Sequence, residues 1–98
     1  MKARLLLRER IPFGDDAFAE LVLWKLAISA PGSTHGLKYR LAFILHGECV
    51  LRYDNEAGKG DHKHFVNEES AYVFESPEKL VRDFLSDARG IYREDGNT

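Results

Sequence analysis

Cysteine is almost absent from this 98-residue sequence, where Cys49 stands alone. One thiol forms no intrachain disulfide and cannot build a cysteine-rich zinc site. Disulfide frameworks belong to oxidising compartments, so their absence fits a reducing cytoplasm. Cys49 itself reads as a small apolar residue on a strand. Long apolar runs are missing too, and none reaches the length of a transmembrane helix. The opening stretch begins like a signal peptide, but Arg8, Glu9 and Arg10 cut its apolar run short, so no export signal is expected. A strong excess of one charge is also lacking: the net charge is −2. That balance does not mark a nucleic-acid binder, yet the placement of charges matters more than their sum.

What is present suits a folded domain. An apolar fraction of 44% is ordinary for a globular chain. The length fits one domain with a thin core, expected over residues 1–93. The polar residues 94–98 read as a disordered tail.

Alternation dominates the first half. Ala3, Leu5, Leu7 and Ile11 fall on one face of a strand over residues 2–13, with Lys2, Arg4, Arg8 and Arg10 on the other. Gly14-Asp15-Asp16 reads as a turn. Residues 17–28 fit a strand or a helix. Strand is chosen, because a hairpin with the first segment pairs both. Residues 30–36 read as a loop. Lys38 to His46 alternates again: Tyr39, Leu41, Phe43 and Leu45 face one way, Lys38, Arg40, Ala42 and Ile44 the other. Gly47 turns the chain into a strand over residues 49–54, making a hairpin. A polar loop over residues 55–67 re-enters the sheet near His64, and Ala71 to Phe74 reads as a last strand.

Ser76-Pro77-Glu78 opens a helix with an N-cap, a first-turn proline and an acidic residue at the positive end of the dipole. Leu80, Val81, Phe84, Leu85 and Ala88 form its apolar stripe, with Gly90 as a stop or fray point. The expected fold is α+β: an antiparallel sheet of about five strands, with one C-terminal amphipathic helix on one face. The helix should meet Leu5, Leu7, Tyr39, Leu41 and Phe43. The other face should carry Lys2, Arg4, Arg8, Arg10, Lys38, Arg40 and Arg52.

Chemistry-bearing residues are densest from Arg52 to His64. Two glycines there allow close backbone approach, and loops after strands commonly hold sites. The spacing fits no Walker A loop, since no Ser or Thr follows Lys59. His62 and His64 would share a strand face, as two metal ligands do. Lys59 and Lys63 beside them would repel a cation, so no metal or other cofactor is expected. Metal-independent RNA cleavage needs a base, an acid and cations for the phosphorane charge. His62 or His64 can supply base or acid. Asp54 or Asp61 can orient a histidine. Lys59, Lys63, Arg40, Arg52 and Lys38 can bind and neutralise phosphate. The same residues also read as a solvated turn beside the wet face of an antiparallel sheet. A non-enzymatic module docking a nucleic acid or acidic partner through that basic face is the rival reading. Trp24, His35 and His46 read as sheet-face, loop and turn residues respectively.

Lys38-Tyr39-Arg40-Leu41-Ala42-Phe43 and the run from Leu51 to His64 resemble the TumE family of toxins. Tyr72-Val73-Phe74 and the closing helix are similar to its general plan. The likeness runs from about Lys2 to Phe84 and is most specific over Leu51 to His64. It implies the toxin of a type II toxin–antitoxin pair, with a helix-turn-helix antitoxin resembling TumA as partner. RNA is the expected target by analogy with other small toxins. Exposed edge strands are compatible with a homodimer. No catalytic residue is carried over from the family.

Overall fold

The computed structural model describes residues 3–26, 36–56 and 60–96. Six strands, β1 (Ala3–Gly14), β2 (Ala17–Leu26), β3 (Leu37–Leu45), β4 (Glu48–Glu56), β5 (Gly60–Phe65) and β6 (Glu68–Ala71), precede one helix, α1 (Pro77–Glu94). The sheet is an antiparallel meander in the order β1-β2-β3-β4-β5-β6. Residues 17–26 are strand, as the hairpin argument required. The expected last strand is a correction: β6 lies at Glu68–Ala71, before Tyr72 to Phe74, and β5 with β6 makes the sheet six strands wide. Lys2 and the loop at residues 30–35 lie outside the described residues.

Alternation sorts the central strands between two faces. Ala17, Ala19, Leu21 and Leu23 of β2, Tyr39, Leu41 and Phe43 of β3, and Leu51 and Tyr53 of β4 are buried on one face. Leu80, Phe84 and Ala88 of α1 close over them, also fully buried. Tyr53 and Phe84 meet edge to face, with centroids 5.5 Å apart. The helix begins as its residues dictate: Ser76 Oγ accepts from the Lys79 amide at 3.1 Å, and Pro77 follows the cap. It runs on past Gly90 rather than stopping there, through Glu94 to a cap at Asp95. Its stripe continues through Ile91 and Tyr92, and Tyr92 packs edge-on against Phe13 at 5.5 Å. A side chain on Gly14 would overlap the Tyr92 hydroxyl, so the tyrosine ring would have to shift to admit one.

The first strand departs from strict alternation. A bulge between Leu5 and Leu7 pairs Leu5 with Trp24 and Leu7 with Leu23. The extra residue reverses the face of everything before it. Leu5 therefore leaves the helix side and is 41% exposed, and Arg4 pairs with Lys25 instead of joining Arg8 and Arg10.

Two turns carry positive φ at a residue other than glycine. His46 (φ 52) and Gly47 (φ 81) join β3 to β4, the pattern of a two-residue hairpin loop. His46 does more than turn the chain. Its Nε2 lies 2.7 Å from Asp95 Oδ2 at the helix end, and its Nδ1 meets Asp16 Oδ2 in the β1–β2 turn. The hydrogen bond to Asp95 chiefly holds the His46 pKa above the usual 6.5. Such a raised value means the contribution is complete below pH 6.5 and is lost as pH rises through the folded value. We expect protection factors for the last turn of α1 to fall across that upper window, and the step to vanish in His46→Asn. Amide exchange at several pH values measures this.

The other turn holds Val66 at φ 55. A branched side chain is strained in that region, by about 1–2 kcal/mol. Glycine removes the strain but adds entropy to the unfolded chain. Val66 is 65% exposed, so little packing is lost with it. Val66→Gly should stabilise the fold by up to about 1 kcal/mol, read as a higher urea midpoint.

Candidate functional site

The face away from α1 is an open grid, and strand register sets its rows. One row runs Arg8, Val22, Arg40, Asp54, His62 and Ala71; the next runs Arg10, Glu20, Ala42, Arg52, His64 and Glu69. Directly opposed residues in neighbouring strands are in contact range. His62 and His64 therefore occupy adjacent rows of β5, with ring centroids 6.4 Å apart. His62 Nδ1 lies 3.1 Å from Glu69 Oε1. His64 Nε2 lies 3.4 Å from Asp54 Oδ1 and 3.9 Å from Glu69 Oε1. Asp54 is the orienting carboxylate of the two considered from sequence, and Glu69 is a second that sequence reasoning missed. Its signal lay in the register: Glu69 opposes His64 only once the β5–β6 hairpin turns at residues 66–67.

Arg52 Nε lies 3.0 Å from Asp54 Oδ2. Its N–H makes no hydrogen bond to that oxygen, so this buried donor has no aligned acceptor among the described residues. Such an unmatched donor is uncommon in folded proteins. Arg40 stands beside Asp54 and is exposed. A depression of about 120 Å³ borders Arg52 and His64. Lys38 is held at the end of the face, its Nζ donating to the Asn55 carbonyl at 2.6 Å.

Asp61 and Lys63 alternate with His62 and His64 and so emerge on the helix side. Tyr39 Oη donates to Asp61 Oδ1 at 2.7 Å. Lys63 Nζ pairs with Asp87 of α1 at 2.7 Å. The candidate residues thus divide into two groups separated by the sheet: Asp54, His62, His64, Arg40, Arg52 and Lys38 together, Asp61 and Lys63 apart. Lys59 lies outside the described residues.

The helix side has its own cleft of about 300 Å³, lined by Tyr53, Lys63, Tyr72, Asp83 and Asp87 among others. The polar groups of those five are matched within the fold. Tyr53 donates to Asp87, Tyr72 to Asp83 at 2.7 Å, and Lys79 pairs with Asp83 at 2.7 Å. Burial first, and then the carboxylate partners, push the Tyr39, Tyr53 and Tyr72 hydroxyls far above their ordinary pKa. These hydroxyls remain protonated donors, which suits a structural part and not that of a base. No cluster of metal ligands occurs among the described residues.

Asn55 holds the end of the site together. The β3–β4 ladder reaches Arg40 opposite Asp54. Beyond it the buried Asn55 side chain takes over, accepting from the Tyr39 amide at 3.0 Å and donating to the Leu37 carbonyl at 2.7 Å. Asn55→Ala would remove that acceptor and that donor together. A buried group left unmatched costs about 1–3 kcal/mol, so a loss of about 2–4 kcal/mol is expected, with an unchanged denaturant slope. Urea unfolding monitored by circular dichroism checks this.

No curated protein and no solved structure matches the chain. No helix among the described residues is long and apolar enough to cross a membrane. The family described as Toxin TumE matches residues 2–92. With nearly the whole chain matched, the protein belongs to the TumE family of toxins, and a toxin of this kind has an antitoxin as partner.

Proposed function

We propose that this toxin acts in the cytoplasm by cleaving RNA, with acid–base chemistry on the open sheet face and no metal. The observation that carries the reading is the placement of two histidines in adjacent rows, each against a carboxylate, beside Arg40 and Arg52. With Nδ1 held by Glu69, the His62 Nε2 is the atom to take the proton of a 2′-hydroxyl. The freed 2′-oxygen attacks the neighbouring phosphorus. His64, steadied at Nε2 by Asp54, delivers a proton from Nδ1 to the departing 5′-oxygen. The P–O5′ bond breaks as the P–O2′ bond forms. One product ends in a 2′,3′-cyclic phosphate and the other in a 5′-hydroxyl. Arg52, whose buried Nε lacks an aligned acceptor, and the exposed Arg40 stabilise charge on the phosphorane oxygens. Asp61 and Lys63 have no part in this step, since the sheet stands between them and the histidines. The antitoxin we propose is a helix-turn-helix protein resembling TumA.

One observation favours a second reading. Arg8 and Arg40 are exposed and in no ion pair among the described residues. A non-enzymatic toxin would use them to hold an acidic or nucleic-acid target, with binding that falls steeply with salt.

Purified protein incubated with total RNA separates the two. We expect cyclic-phosphate ends to form with or without chelator. His62→Ala or His64→Ala should slow their formation roughly 10²–10⁴-fold, the usual worth of one acid–base group. Induced in a bacterial host, wild type should arrest growth and the double variant should not. RNA left intact under every condition would sink the nuclease reading. Arrest that survives the histidine changes but not charge reversal at Arg8 and Arg40 would establish the binding module.

A further inference from the structure

The open face has an apolar corner that the cleavage chemistry does not use. Trp24 lies there, paired across the strands with Leu5 on one side and Lys38 on the other. It is the single tryptophan of the chain. Most aromatic side chains of the structure are engaged. Phe13, Phe43, Tyr53, Tyr72 and Phe84 lie in ring contacts, and Phe18, on the same face as Trp24, is covered by the Arg10 guanidinium at 3.8 Å. Trp24 is in no ring or cation contact among the described residues, is only half-buried, and faces away from the helix. Leu5 was brought beside it by the bulge in β1 and is 41% exposed.

Position relative to the histidines is set by the sheet. Trp24 on β2 and His62 on β5 are three strands and one row apart. At about 4.8 Å per strand and about 6.8 Å per row, the separation is about 16 Å. Arg40 lies between them, and Lys38 stands next to Trp24. An indole face, then two cations, then an acid–base pair is the layout of a groove that tracks a nucleic-acid backbone and stacks a base.

We propose that Trp24 is a base-stacking platform and that the substrate is single-stranded RNA, bound with an unpaired base on the indole and the backbone running past Lys38 and Arg40 to His62. This deepens the RNA reading of the same face and rests on it. Single-strandedness follows from the geometry. A duplex keeps its base faces inside the stack, so only an unpaired base can lie flat on Trp24. One nucleotide does not span the distance to His62, so the ligand is a strand of several.

The test uses an uncleavable strand and the full chain. A short, mixed-sequence 2′-O-methyl oligoribonucleotide lacks the attacking hydroxyl. A labelled copy reports binding by anisotropy, and an unlabelled copy reports stacking through tryptophan fluorescence, which here comes from Trp24 alone. We expect binding to be accompanied by quenching. The same strand presented as a duplex should bind more weakly and quench little. Trp24→Leu keeps the apolar bulk but removes the π-face, and should weaken single-strand binding roughly 5- to 150-fold, the range measured for one stacked base. Trp24→Phe should recover most of that loss, which also shows that a changed side chain at this site still folds. Binding without quenching, or with equal affinity for Trp24→Leu, overturns the stacking platform and leaves RNA as the target. No binding of either strand to wild type overturns both.

Discussion

One constraint governs this molecule: a six-stranded sheet has one helix, and the helix covers one face. Strand residues are therefore sorted by parity between a packed side and an open side. On the packed side the core is aliphatic and aromatic, and its polar edge is closed by bonds from tyrosine to aspartate. Tyr39 reaches Asp61 on β5, while Tyr53 and Tyr72 reach Asp87 and Asp83 on α1. Each phenol stays protonated because its burial and its partner both oppose ionisation. The helix is thus held by apolar burial along its stripe and by directional bonds along its rim. Asp83 and Asp87 of α1 are committed to the fold, and Lys63 with them.

Much of this was legible in the sequence because alternation is a local signal. The faces of β3, the Ser76 cap and the apolar stripe of α1 need only neighbouring residues to read. What escaped depends on pairing across the chain. The bulge that moves Leu5 and Arg4 to the opposite faces has no glycine to announce it, and strict alternation carries the eye past Leu6. His46 reads as a turn residue, because Asp16 and Asp95 reach it only after three separate elements meet. The polar run after Asp54 reads as a loop, since charged residues hide the period of two in β5. The candidate site suffered most from this. Once Gly60 to Phe65 is a strand, Asp61 and Lys63 cannot stand beside His62 and His64, however close they are in sequence. Glu69 stands beside them instead, from the next strand.

The two faces also divide the charges by use. Lys63 and Lys79 have aspartate partners within 2.7 Å on the helix side, and an incoming phosphate would have to displace them. On the open side, Arg8 and Arg40 have no ion-pair partner among the described residues, and Arg52 has a misaligned one. Desolvating an anion beside matched pairs gains little, whereas an unmatched guanidinium offers both charge and a waiting donor. Cleft volume favours the helix side, and electrostatics favours the open side. For a polyanion the second consideration prevails, because a backbone needs a track of unmatched cations more than it needs an enclosure.

The bulge in β1 completes that division. Without the bulge, Leu6 would stand opposite Trp24 and Arg4 opposite Leu26, so Arg4 would join Arg8 and Arg10 on the open face. With it, Leu5 takes the place beside the indole, and Arg4 is removed to the other side with Lys25. The open face then runs from an apolar corner through Lys38 and Arg40 to the histidine and carboxylate rows. A uniform basic face attracts any anion, but a graded one distinguishes the ends of a ligand. It favours an extended molecule with an apolar plane at one point and a phosphate at another, and it sets which part of that molecule comes to rest against His62 and His64.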